Sequence, residues 1–70
     1  MQRFGEKLRT LRTQRGLSYR ELAAMLAVSH GHLVGIEAGR HKPSADLILK
    51  IADLFGVTAD QLMRDDQEVG

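Results

Sequence analysis

Apolar residues recur at helical spacing from the start of the chain. Phe4, Leu8 and Leu11 occupy positions i, i+4 and i+7, which places them on one face of a helix. This stripe ends before Gly16, and glycine suits the left-handed residue that closes a helix because it has no Cβ to clash. No segment alternates apolar and polar residues with a period of two over a useful length. The pattern predicts an all-α fold.

Four capping signals divide the rest of the chain into four more helices. Two of them pair Ser or Thr with Glu or Gln three residues later, the spacing of a capping box. The other two are single serines that can cap a helix. In chain order the signals are Ser18 with Glu21, Ser29, Pro43-Ser44, and Thr58 with Gln61, while Gly56 ends the fourth helix. The expected inward side chains are Leu22, Ala23, Leu26, Leu33, Ile36, Leu47, Ile48, Ile51, Ala52, Phe55 and Leu62.

The length and composition indicate one small globular domain. The chain has 70 residues, of which 43% are hydrophobic and 27% charged, which excludes both a disordered segment and a membrane protein. No apolar run approaches the roughly 18 residues that span a bilayer, and no secretory signal is visible. Because there is no cysteine, we expect no disulfide and a cytoplasmic protein. We expect a domain over residues 1–64 and a polar C-terminal tail over residues 65–70.

The small net charge hides a division between two parts of the chain. Residues 1–42 hold eight basic and three acidic residues, a net charge of +5. Residues 43–70 hold two basic and six acidic residues, a net charge of −4. This asymmetry suggests one face directed at a polyanion, although two solvated faces that happen to differ would give the same totals.

The second and third predicted helices meet the requirements of a helix-turn-helix. Two crossing helices need a small residue where they touch, and Ala23 supplies it. The turn must reverse direction within about three residues and carry an apolar plug, which Val28 provides. The segment at about residues 18–38 is therefore predicted to be a helix-turn-helix, which can place its second helix in the major groove of DNA.

An ordered set of short motifs spans residues 4–63. They are Leu17-Ser18, Glu21-Leu22-Ala23, Val28-Ser29, Ile36-Glu37-Ala38-Gly39, Lys42-Pro43-Ser44, Ile51-Ala52 and Leu54-Phe55-Gly56-Val57. With this set the chain resembles the lambda-repressor-like helix-turn-helix family of phage repressors, Cro proteins and small bacterial regulators. The resemblance implies a compact five-helix domain that binds double-stranded DNA sequence-specifically as a transcriptional regulator, a repressor acting as a homodimer. Its palindromic operator would have half-sites about one helical turn apart.

The resemblance also implies roles for individual residues. In the family a glutamate near the end of the third helix pairs with an arginine on the first, here Glu37 with Arg12. Phosphate contacts are implied at the start of the second helix and in the loop after the third. Base reading is implied on the third helix. The phosphate-contacting residues are Ser18, Tyr19, Arg20, Arg40 and Lys42, and the groove-facing residues are Ser29, His30, Gly31 and Gly35, with His32 nearby.

Four positions depart from the family pattern. Tyr19 stands where the family usually has glutamine, although its hydroxyl can also donate to a phosphate. Ala27 stands where glycine is usual, in a turn residue that tends to have positive φ and would cost about 1 kcal/mol. Gly31 and Gly35 remove base-reading side chains and weaken the helix by roughly 1 kcal/mol each. We therefore expect specificity to depend on His30, bridging water and DNA shape.

Metal binding and catalysis have little support in the sequence. Three histidines, His30, His32 and His41, raise the question of a metal site, but His30 and His32 are two residues apart, so on a helix they point about 200° apart and cannot easily share an ion. No nucleophile–base set is present, and Ser18 and Ser29 have structural explanations as helix caps. The sequence therefore predicts a protein that is not an enzyme, with no cofactor and no metal.

A second functional class remains open, and so does the dimer interface. The rival to a DNA-binding regulator is an antitoxin or protein-interaction module on the same fold, which the sparse side chains of the third helix favour. By family resemblance the dimer contacts involve the tail together with Val57, Leu62 and Met63. Met25 and Val34 form alternative apolar patches, although isolated apolar residues on a surface are common.

Overall fold

Five α-helices and no strand make up the computed structural model, which describes residues 1–70. The all-α, five-helix prediction is confirmed, and none of the five helices is long and apolar enough to cross a membrane. The helices are α1 (Phe4–Gln14), α2 (Tyr19–Leu26), α3 (His30–Glu37), α4 (Ala45–Phe55) and α5 (Ala59–Met63).

Every capping signal found in the sequence begins a helix. The hydroxyls of Ser18, Ser29, Ser44 and Thr58 each accept a hydrogen bond of 3.0–3.1 Å from a backbone N–H three residues later. The capping boxes of α2 and α5 are complete. These bonds satisfy N–H groups that have no partner inside the helix, so the chain marks its own helix starts locally.

Four helices end in the same left-handed turn. The residues with positive φ are Gly16, Gly39, Gly56 and Ala27. After α3, for example, the N–H of Gly39 donates to Ile36 and the N–H of Arg40 to Gly35, the paired bonds of a Schellman motif. Ala27 has φ 57° and ψ 41°, so the expected left-handed conformation is present at a residue that carries a Cβ.

One apolar cluster joins all five helices. Helix α1 packs across α3 at Gly5, where a Cβ would lie 2.7 Å from the carbonyl oxygen of Ile36 and closer still to that of Glu37. Only glycine allows the two backbones to approach this closely. The cluster consists of Phe4, Leu8, Leu11, Leu22, Ala23, Leu26, Leu33, Ile36, Leu47, Ile48, Ile51, Ala52, Phe55 and Leu62. All the inward side chains predicted above belong to it.

The end of the chain folds back onto the start of α1. The carboxylate of Asp65 accepts the N–H groups of Gln2 at 3.1 Å and Arg3 at 2.9 Å, where α1 has no side-chain cap of its own. Arg3 also pairs with Glu68 at 2.7 Å, and Val69 packs against the core. The polar tail over residues 65–70 is thus held against the helical part of the chain.

Lys7 on α1 and Leu62 on α5 are both buried, which the charge totals and the suggested dimer contact did not anticipate. Lys7 is only 1% exposed, and its ammonium donates to the carbonyls of Gln61, at 2.6 Å, and Arg64, which end α5. Leu62 is fully buried in the core, so it cannot serve as the dimer contact suggested by resemblance. The leucine packs inward because α5 is a single turn whose apolar side must cover the bundle.

Candidate nucleic-acid interface

Helices α2 and α3 form the predicted helix-turn-helix. Ala23 is 4% exposed where the two helices meet, and half-buried Val28 packs from the turn against the core. Leu33 and Ile36 are almost completely buried, which leaves the opposite side of α3 facing solvent. The geometry therefore presents one short helix on the surface with its orientation set by the core.

The ion pair that sets α3 against α1 is present. The guanidinium of Arg12 donates to the carboxylate of Glu37 from Nε at 2.8 Å and from Nη2 at 3.4 Å. Its Nη1 donates to the carbonyl of Leu17 at 2.9 Å. The two charged side chains are 10% and 2% exposed. The hydrogen bond to Glu37 raises the pKa of Arg12, and burial only partly opposes this.

Tyr19 connects this buried pair to the surface of α3. The guanidinium carbon of Arg12 lies 4.0 Å from the centre of the Tyr19 ring, within the range of a cation–π contact. The imidazole of His30 meets the same ring edge to face, with centroids 5.8 Å apart. The half-buried tyrosine ring therefore contacts both the buried Arg12 and the exposed His30. The position of Tyr19 in the sequence did not reveal this role.

The start of α3 is open to solvent. The Ser29 hydroxyl accepts the N–H of His32, so this side chain is engaged as a cap. His30, Gly31 and His32 are exposed, and a Cβ built at Gly31 meets no atom within 4 Å. At the start of α2 the side chain of Ser18 is likewise engaged in its capping box, while Arg20 is exposed.

Gly35 differs from the expectation of an open groove-facing position. The residue is buried, because the imidazole of His41 from the following loop covers it. His41 also stacks on His32, with ring centroids 5.3 Å apart and an angle of 29° between the planes. The absence of a side chain at Gly35 therefore makes room for the imidazole of His41. The spacing of residues in the sequence did not identify this contact.

The loop after α3 carries the other expected phosphate contacts. Arg40 and Lys42 are exposed, and neither takes part in an ion pair of this chain. The Schellman turn at Gly39 fixes their backbone, since the N–H groups of Arg40 and His41 both donate to the carbonyl of Gly35, at 2.8 and 3.2 Å. The two exposed cations thus lie in the loop that directly follows α3.

Half of the basic residues in 1–42 make contacts within the chain. Arg3 pairs with Glu68 and Glu6, and these bonds raise its pKa above the ordinary value. Arg15 donates to the carbonyls that end α4, while Lys7 and Arg12 are buried. The basic residues without such partners are Arg9, Arg20, Arg40 and Lys42. The net charge of residues 1–42 therefore overstates the number of cations free to bind a polyanion. The position of Lys7 within the apolar stripe of α1 could have signalled its burial.

Residues 3–64 match the helix-turn-helix domain family. The transcriptional regulator DdrOP3 of Deinococcus deserti is 34% identical over 58 residues, which cover 83% of this chain and 45% of DdrOP3. The chain thus spans less than half the length of that relative.

Two solved structures share the fold. The restriction-modification controller protein C.AhdI of Aeromonas hydrophila is 34% identical with a TM-score of 0.78, over 89% of this chain and 94% of the other. The N-terminal DNA-binding domain of SinR from Bacillus subtilis is 25% identical with a TM-score of 0.84, over 97% and 100%. Together with the arrangement of α2 and α3, these matches show that the chain belongs to the phage-repressor-like helix-turn-helix family of transcriptional regulators.

Proposed function

We propose that this chain is a sequence-specific double-stranded DNA-binding transcriptional regulator, a repressor that acts as a homodimer in the cytoplasm. The observation that carries the proposal is the outward side of α3, which is exposed, free of acidic side chains and flanked by the unpaired cations Arg40 and Lys42. An α-helix presented in this way fits the width of the major groove, and neighbouring cations neutralise phosphates.

Phosphate contacts on both sides of α3 would set its register in the groove. On one side Arg20 is exposed near the start of α2, and the half-buried ring of Tyr19, which begins that helix, contacts His30. On the other side Arg40 and Lys42 follow the end of α3. Contacts of this kind position a protein on the duplex but carry no sequence information directly.

Base reading would come from the start of α3. Ser29, His30 and His32 are the polar side chains there, and the bare backbone at Gly31 leaves space for the DNA or for a bridging water. An imidazole can donate to N7 or O6 of guanine, or accept from a base amino group, in the major groove. Specificity would therefore rest on few side chains and on DNA shape.

A dimer would use apolar residues away from α3. Met63, at the end of α5, is 41% exposed, and Val57 is half-buried in the turn before α5. A twofold interface there would place two copies of α3 side by side on one face of the duplex, as palindromic half-sites require. Sedimentation of the wild-type chain and of Met63→Asp tests this, since the substitution should shift a dimer toward monomer.

Selection from a randomised double-stranded oligonucleotide library tests the function as a whole. We expect the wild-type chain to recover a palindromic motif, and its affinity to fall steeply with salt. Arg40→Ala and Lys42→Ala should each weaken binding to all sequences and reduce the log–log salt slope by about one. Lys50→Ala, an exposed cation on α4, is the matched control. No binding to duplex DNA at low salt would instead favour an antitoxin or protein-interaction module.

A further inference from the structure

We propose that His41, from the loop after α3, is a base-reading residue that takes the place of the side chain missing at Gly35. In this interpretation the chain reads one side of the groove with a residue from the loop instead of one from the helix. The proposal rests on the proposed function, because it assigns a specificity-determining role at the same DNA-facing surface. It adds a residue that neither the fold nor the resemblance assigns.

The imidazole of His41 occupies the space that a side chain at position 35 would fill. A Cβ built at Gly35 would lie 2.7 Å from Nε2 of His41 and 3.1 Å from its Cγ, with Cδ2 nearer still. The Nε2 atom of the ring thus lies less than two carbon–carbon bond lengths from the position of a residue-35 Cβ. A larger residue at position 35 and an imidazole in this place exclude each other.

The ring is held in this position by the backbone and by a second imidazole. The positive φ of Gly39, +82°, turns the chain back over α3, and the His41 N–H donates to the carbonyl of Gly35 at 3.2 Å. The imidazole of His32 stacks on this ring, with centroids 5.3 Å apart. A side chain that is already oriented in the free protein loses less conformational freedom when it binds.

The chemistry of the ring and its location suit base reading. His41 is exposed despite these contacts, and a neutral imidazole offers one donor and one acceptor. Position 35 lies one helical turn after Gly31, so both are on the same outward side of α3. Arg40 and Lys42, which flank His41 in sequence, are exposed cations suited to phosphates. With Arg40 and Lys42 on phosphates as proposed, the imidazole between them in sequence lies against α3, where a donor can reach N7 or O6 of a purine in the major groove.

Two substitutions on α3 separate the position of the ring from the stability of the helix. Gly35→Ala puts a methyl group where the imidazole lies, and the flexible side chain of His41 can move away without unfolding the helix. Gly31→Ala, on the same helix, meets no atom within 4 Å and is the matched control for the free protein. In NMR spectra we expect cross-peaks between the His41 ring and Gly35 Hα in the wild type and in Gly31→Ala, and displaced His41 resonances in Gly35→Ala. Unchanged His41 resonances in Gly35→Ala would overturn the assigned position.

Selection from a randomised double-stranded oligonucleotide library then tests the role in reading. His41→Ala and Gly35→Ala should both lose about tenfold in preference at the same one or two base pairs. His41→Gln, which keeps a donor and an acceptor, should change the preferred base there, and the α4 variant Lys50→Ala should keep the wild-type motif. If His41→Ala weakens all sites equally and keeps the wild-type motif, the imidazole contacts only the backbone and the proposal is wrong. If the wild type itself recovers no motif, the proposed function fails with it.

Discussion

The carboxylate of Glu37 at the end of α3 accepts two hydrogen bonds from the guanidinium of Arg12 on α1, at 2.8 and 3.4 Å. Both side chains are nearly buried, so neither charge can be hydrated if its partner is lost. We expect Arg12→Ala and Glu37→Ala each to lower the free energy of unfolding by about 3–5 kcal/mol. Urea denaturation of both single variants and the double variant measures the coupling, and additive losses would show that the pair does not act as a unit.

Tyr19 should act through its ring in the free protein. Tyr19→Phe keeps the contacts with Arg12 and His30, whereas Tyr19→Leu loses a cation–π contact and should lower the unfolding free energy by about 0.5–2 kcal/mol. Thermal unfolding of the two variants separates these outcomes. A DNA-binding assay adds the role of the hydroxyl: if it donates to a phosphate, Tyr19→Phe should weaken binding to every sequence about three- to tenfold.

Gly5 should tolerate no side chain. A Cβ there would overlap the backbone carbonyls at the end of α3, which cannot move without tilting that helix. We expect Gly5→Ala to lower the unfolding free energy by about 3 kcal/mol, as over-packing does elsewhere. Gly31→Ala, with open space around it, should instead raise the unfolding free energy by about 1 kcal/mol through helix propensity. Chemical denaturation of the two variants in parallel checks the difference in sign.

Replacement of Ala27 by glycine should stabilise the fold. The left-handed conformation costs a residue with a Cβ about 1–2 kcal/mol, and the greater freedom of glycine in the unfolded chain offsets about 0.4–1 kcal/mol of the gain. We expect a net gain of about 0.5 kcal/mol, which is a rise in Tm of about 2–4 °C. Ala24→Gly, at an exposed position inside α2, is the control and should lose about 1 kcal/mol. If Ala27→Gly destabilises the fold as much as the control does, Ala27 does not have the left-handed conformation in solution.

The contact between the tail and α1 should be sensitive to acid. Hydrogen bonds from the backbone N–H groups of Arg3 and Gln2 lower the pKa of Asp65 below its ordinary value of 3.8. A carboxyl with a lower pKa in the folded state adds stability above its unfolded pKa and loses it as the pH falls through the folded value. We therefore expect a stabilising contribution that is constant above about pH 5, begins to fall near the unfolded pKa of about 4, and is lost as the pH drops through the lower folded pKa.

Thermal unfolding of the wild type and Asp65→Asn between pH 2 and 7 measures this contribution. The difference in Tm between them should be constant near neutral pH and shrink in acid. Asp66→Asn removes a neighbouring carboxylate whose side chain makes no hydrogen bond in the structure, and it should track the wild type throughout. A difference that grows as the pH falls would show that the Asp65 carboxylate destabilises the folded chain.

The local signals of helix boundaries were readable from the sequence because they act over three to five residues. Ser18 with Glu21 and Thr58 with Gln61 cap their helices as the spacing predicted, and the inward leucines and isoleucines follow from the 3.6-residue period. The pairing of Arg12 with Glu37 needed the family resemblance, since the two residues are 25 positions apart and nothing local links them.

What the sequence by itself determined is therefore the all-α class, the helix starts and stops, and the helix-turn-helix framework. Only the tertiary structure decided which charged and polar groups remain on the surface. Lys7 is buried with its ammonium donating to carbonyls at the end of α5, and Gly35 is covered by the imidazole of His41 from the following loop. Such contacts join residues far apart in sequence, or residues that a turn brings together. Their energies depend on distances between side chains, and only the packed helices define those distances.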